Sequence, residues 1–137
     1  MSKTNEYSYD LFRHELLPEL LGEDEEIILY WAGKALARKK HEEIETDGLA
    51  TFFEKASFGA LTLLKEKRSE RIYELTTNDY QPKRPFSLEA GFLAQLTELE
   101  MDLLAEATYE VKKKKPTCLH ITVRWDKKDP SSMREDA

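Results

Sequence analysis

Cys118 and His120 stand two residues apart in "TCLHITVRW". On a strand, residues two apart share a face, so the thiol and the imidazole would lie side by side. Such a pair supplies a nucleophile and its base. The chemistry also needs a group to orient the base and an electropositive setting to hold the thiolate. The same face continues as Thr122 and Arg124 and offers no acid. The sequence therefore assigns no catalytic residue, and the pair reads as part of a solvated or interface-facing strand face.

Metal chemistry has equally little to stand on. His14 and His41 are isolated, and no Cys or His pair has the close spacing of a zinc site. The acidic runs Glu23 to Glu26 and Glu42 to Asp47 lack the alternating oxygen donors and central glycine of a calcium loop. They read as helix-end electrostatics, and no metal or cofactor is expected. Basic residues group differently: Lys65, Lys67, Arg68 and Arg71 surround one turn, and Lys112 to Lys115 precede another. If both turns lie at one end of a sheet, they form a positive rim for nucleic acid or an anionic surface. Lysines at strand ends also serve simply to block edge pairing.

Two glycines pose the remaining question. "YWAGKALAR" (Tyr30 to Arg38) and "FSLEAGFLAQL" (Phe86 to Leu96) both read as helices, and each carries an Ala-Gly pair. A glycine inside a helix costs about 1 kcal/mol relative to alanine. Either Gly33 and Gly91 let two helices approach closely, or they leave a slot for a ligand. In the second case Tyr30, Trp31, Phe53 and Phe92 would wall the slot.

These residues need a scaffold, and 137 residues with 40% hydrophobic and 35% charged content suit one domain with a real core. The ordered core is expected over about residues 7–126, with 127–137 as a polar tail that frays. One cysteine permits no internal disulfide, and no stretch resembles a signal peptide or a membrane span. The expectation is a cytoplasmic protein. Its net charge of −6 argues against a general nucleic-acid binder.

Apolar spacing over 8–21, with Phe12, Leu16 and Leu20 on one stripe, predicts a helix that Pro18 kinks or restarts. A second helix follows, with acids at its start and Arg38 to Lys40 at its end. Asp47 is positioned to cap a third, in "GLATFFEKAS". "GALTLLKEK" and "ERIYELTT" form a hairpin turning at Arg68 and Ser69, and "NDYQPKRP" is a loop. Ser87 is placed to cap a long helix reaching about Glu106. "TYEVKKKK" and "TCLHITVRW" form a second hairpin. In its last strand Leu119, Ile121, Val123 and Trp125 face a core. The order ααα-ββ-α-ββ implies an α+β fold, an antiparallel sheet of about four strands covered on one face by helices.

"YWAGKALAR", "FFEKASFGAL", "FSLEAGFLAQ" and "ITVRWDKKDP", in that order, resemble the YslB-like family of Gram-positive bacteria over about residues 7–130. That family looks like a distant relative of TRAPP-complex subunits, vinyl-reductase (4VR) domains and haem-NO-binding-associated domains. The resemblance implies a small α+β module of the kind that dimerises through helices and holds an apolar ligand or acyl chain between helices and sheet. It implies no reaction. Where such proteins use a cysteine for acylation or metal, this chain offers only Cys118, away from the Ala-Gly helices.

Taken together, these readings predict a non-catalytic binding or scaffolding module. A homodimer is expected, with Phe12, Leu16 and Leu20 as its contact. A small apolar ligand or a protein partner is the further expectation, and nucleic-acid or anionic-surface binding through the basic rim is the alternative.

Overall fold

The computed structural model describes the backbone of residues 3–77 and 85–130 and the side chains of 7–77 and 85–126. The first helix is longer than its apolar stripe indicates. Helix α1 (Lys3–Asp10) passes through a π-helical turn (Leu11–Leu16) into α2 (Leu17–Leu21). Pro18 has no N–H for the carbonyl four residues back. The widened turn before it, in which the Leu17 N–H donates to the Phe12 carbonyl, takes up the mismatch without breaking the helix. The turn also swings Arg13 inward, where it is buried.

Gly22, at φ +58°, reverses the chain into a short 3-10 turn before α3 (Glu25–Asp47). This helix does not stop after Lys40 as expected. Side-chain contacts along its exposed side, an ion pair of Lys40 with Glu43 at 3.5 Å and His41 Nε2 3.4 Å from Glu45, support a run of good helix formers. It ends only at Gly48, whose φ of +96° a side chain would resist. Asp47 therefore closes α3 rather than capping α4 (Leu49–Lys55).

Strands β1 (Ala60–Lys67) and β2 (Glu70–Thr77) form the first hairpin as read. Helix α5 (Ser87–Met101) is shorter than its apolar content suggests. Asp102 adopts the left-handed conformation and ends it, and β3 (Leu103–Lys114) begins at once. The buried Glu98 carboxylate accepts the Ala105 N–H at 3.1 Å and so secures that sharp change of direction. Strand β4 (Thr117–Pro130) runs beyond Trp125, with Leu103 opposite Pro130. The loop 78–84 and the end of the tail, 131–137, lie outside the described residues.

The sheet order is β1-β2-β4-β3, antiparallel throughout. Leu119, Ile121, Val123 and Trp125 alternate into the core with Tyr73 and Leu75 of β2. Against them lies an aromatic cluster from α4, its following turn and α5. Phe52 stacks on Phe92 with ring centroids 5.1 Å apart, and Phe53 meets Phe58 edge-on at the same distance. Each ring so buried contributes about 1.5–3 kcal/mol, with further gain from the ring geometry.

The register corrects the expected basic rim. Glu70 faces Arg124 at one end of β2, and Thr77 faces Thr117 at the other. The turn at Arg68 and Ser69 therefore lies at the opposite end of the sheet from the turn after Lys114. The charges are also compensated locally, Arg71 on Glu100 at 2.9 Å and Lys112 on Glu110 at 3.0 Å. The two basic groups do not combine into one surface.

Candidate functional site

Helices α3 and α5 run in the same direction, with contacts advancing in step from Glu26 and Ser87 to Arg38 and Gln95. At their crossing a Cβ on Gly33 would overlap the Leu88 carbonyl oxygen, and one on Gly91 would overlap the Tyr30 carbonyl oxygen. Backbone occupies both places, so the glycines serve close approach and open no slot. Polar contacts flank the crossing. The Ser87 hydroxyl donates to the Glu26 carbonyl at 2.6 Å, so it ties the two helices rather than capping α5. Lys34 meets Glu98 at 3.2 Å, and Arg38 donates to Gln95 at 3.1 Å.

The residues proposed to wall a slot are accordingly dispersed. Phe53 and Phe92 are fully buried within the aromatic cluster, whereas Trp31 is 63% exposed on the outer side of α3. Of the four, Tyr30 lines a groove at the surface. It shares this groove of about 690 Å³ with Glu23 of the preceding 3-10 turn, Glu26 and Ile27 of α3, Ser87 and Ala90 of the first turn of α5, and Ala107 to Tyr109 of β3. The Tyr30 hydroxyl accepts the Ala107 N–H at 3.1 Å, tying α3 to the sheet. The Tyr109 hydroxyl donates to Glu26 Oε2 at 2.9 Å. Burial pushes the Tyr109 phenol up to about 12, and the neighbouring Glu26 carboxylate acts in the same direction. It therefore remains a donor at neutral pH. Spacing could not reveal this groove, because its two sides are about 80 residues apart in the chain.

A second feature escaped the sequence. Arg13 and Glu89 form a bidentate pair at 2.9 and 3.0 Å, with side chains 4% and 0% exposed. Arg13 also donates to the Tyr9 hydroxyl and the Pro85 carbonyl. The pair fastens the N-terminal helix to the start of α5. The available signal was one glutamate within "FSLEAGFLAQL", which spacing alone does not connect to Arg13.

On the opposite side of the sheet, Cys118 and His120 do share a face, and the structure supplies the acid that spacing could not. Glu74, across the ladder on β2, lies 3.3 Å from Cys118 Sγ and 3.5 Å from His120 Nε2. The arrangement is wrong for a nucleophile. Burial first, and the Glu74 hydrogen bond second, push the Cys118 thiol up, away from the thiolate that reactivity requires. Among the described residues no group of three His, Cys, Asp or Glu side chains is placed to hold a metal ion.

Phe12, Leu16 and Leu20 are 56%, 44% and 70% exposed, so the apolar stripe of the N-terminal helix lies uncovered. Ile27 and Trp31 are similarly exposed on α3. No helix among the described residues is long and apolar enough to cross a membrane.

Helices on one face of a four-stranded antiparallel sheet, fastened by an α3–α5 glycine crossing, define a small α+β fold that is shared with two solved structures. The solved structure of trafficking protein particle complex subunit 3 from Naegleria fowleri, covalently bound to palmitic acid, superposes with a TM-score of 0.68. The match covers 98% of this chain and all of that one at 13% identity. A vinyl-4-reductase family protein from Methanocaldococcus jannaschii gives 0.53, with 88% and 81% covered at 19% identity. Within this class the chain belongs to the family described as protein of unknown function (DUF2507), whose model matches residues 6–124. It is 41% identical over 132 residues to the uncharacterized protein YslB of Bacillus subtilis (strain 168), spanning 92% of this chain and 88% of that protein. These likenesses agree with the YslB-like, TRAPP-like and vinyl-reductase-like resemblance read from the motifs.

Proposed function

We propose that the protein is a non-catalytic binding or scaffolding module that works as a homodimer, paired through its N-terminal helix. One observation carries this reading: the exposed stripe of Phe12, Leu16 and Leu20, on a helix whose inner side is anchored by Arg13. Soluble monomers rarely leave large contiguous apolar patches uncovered, and burying three such side chains against a second copy removes that exposure from water. The single free thiol suits a reducing cytoplasm. Sedimentation equilibrium over a concentration series tests the reading. It predicts a mass that approaches twice the chain mass as concentration rises, and a monomer at every concentration overturns it.

The palmitic acid on the Naegleria neighbour favours a second reading, a small apolar ligand or acyl chain held between helices and sheet. Phe53 and Phe92 fill the interior here, so such an occupant would use the groove beside Tyr30. Covalent attachment at Cys118 would instead place it on the far face of the sheet. Native mass spectrometry of protein purified gently from its own host decides this, through an added mass that is lost on denaturation if held in the groove and kept if joined to Cys118.

A further inference from the structure

The groove between α3, α5 and β3 has a chemistry of its own. Its volume, about 690 Å³, falls within the range of roughly 300–1,000 Å³ usual for small-molecule sites. Ile27, Ala90 and Ala107 give it an apolar part of its lining. The charged side chains that line it, Glu23 and Glu26, are both carboxylates, and no Lys, Arg or His among the described residues lines it. Neither carboxylate is paired with a cation among the described residues. Lys34, whose ammonium lies 5.8 Å from the Tyr30 ring centre, is engaged by Glu98. Tyr109 holds one oxygen of Glu26 and leaves Oε1 without a protein partner among the described residues. Tyr109 adds an aromatic residue to the wall, the kind of side chain whose ring attracts a cation through its quadrupole.

We propose that this groove binds a small organic cation, an alkylammonium whose charge meets Glu26 and Glu23 and whose apolar body lies on Ile27, Ala90 and Ala107. The proposal deepens the ligand-binding reading above and reverses the polarity of the headgroup. A fatty-acid carboxylate in this groove would face two like charges, which penalises it. The homodimer reading stands or falls separately.

The test is a ¹⁵N-HSQC titration at neutral pH with three six-carbon probes that share a chain and differ in headgroup charge: hexylammonium, hexanol and hexanoate. Hexylammonium should shift the Ala107 and Tyr109 amides saturably, with hexanol and hexanoate weaker by about tenfold or more. Glu26→Gln should weaken hexylammonium by about two- to fivefold and leave hexanol unchanged. The glutamine oxygen can still accept from Tyr109, so this variant keeps the local fold. Equal binding of all three probes, tightest binding of hexanoate, or no saturable shift overturns the proposal. None of these outcomes changes the sedimentation mass, so this failure is distinguishable from failure of the dimer.

Discussion

Gly33 and Gly91 are reciprocal: each stands where a side chain would overlap a carbonyl oxygen of the other's helix. The propensity lost at each is offset by backbone-to-backbone contact and by the polar pairs beside the crossing.

Alanine at either position should therefore destabilise the fold although it favours the isolated helix. The blocking atoms are backbone, which cannot rotate away, so each substitution should cost about 2–3 kcal/mol in urea unfolding. The double variant should cost less than the sum, because one separation of the helices accommodates both methyl groups. Unchanged or raised stability would show that the helices are not in tight contact.

Removing one partner of the Arg13–Glu89 pair strands a charge in the interior. Arg13→Met and Glu89→Gln should each cost about 3–5 kcal/mol. Arg13→Met combined with Glu89→Leu should recover much of that loss, since two apolar side chains leave no charge uncompensated. A double variant as unstable as the singles would mean that the pair is not the fastening of the N-terminal helix.

At high pH one buried tyrosine, Tyr73, and two half-buried ones, Tyr30 and Tyr109, contribute to the stability. The Tyr30, Tyr73 and Tyr109 phenols are all raised, mainly by burial, Tyr109 to about 12. The folded state holds these protons more tightly than the unfolded chain. Their contribution is complete below the unfolded value near 10 and is lost as pH rises through the folded values. Stability should be level to about pH 10 and fall by about pH 12, with a late tyrosinate absorbance step that Tyr109→Phe reduces. Simple tyrosine titration near 10 without loss of stability would contradict the burial.

The thiol of Cys118 should alkylate more slowly in the folded protein than in urea, because its thiolate is disfavoured. Glu74→Gln should speed the reaction, and Cys118→Ser should leave dimerisation unchanged. Rapid alkylation at neutral pH would reopen the nucleophile reading.

The sequence made the antiparallel sheet legible where alternation was clean, from Leu119 to Trp125, because one face is core and the other polar. It misjudged α3, whose charged second half looks like a helix end yet continues through side-chain pairing to Gly48. The start of β3 was hidden in an apolar run that suits helix or strand equally, and the switch depends on Glu98 reaching the Ala105 amide. The glycine crossing was visible as a pair of anomalies, and its geometry decided between packing and slot. Neither Arg13–Glu89 nor the groove was visible, since both join segments more than 70 residues apart. The expected basic rim depended on which ends of the sheet the two turns occupy, and only the β2–β4 register fixes that.

Leu16→Glu tests the dimer most directly, because it places a charge in the middle of the exposed stripe without touching the core. Sedimentation of the native chain and the variant should give a dimer and a monomer respectively, with the same circular dichroism. A variant that keeps the native mass would contradict the N-terminal helix as the contact, and a native chain that is always monomeric would contradict the dimer itself.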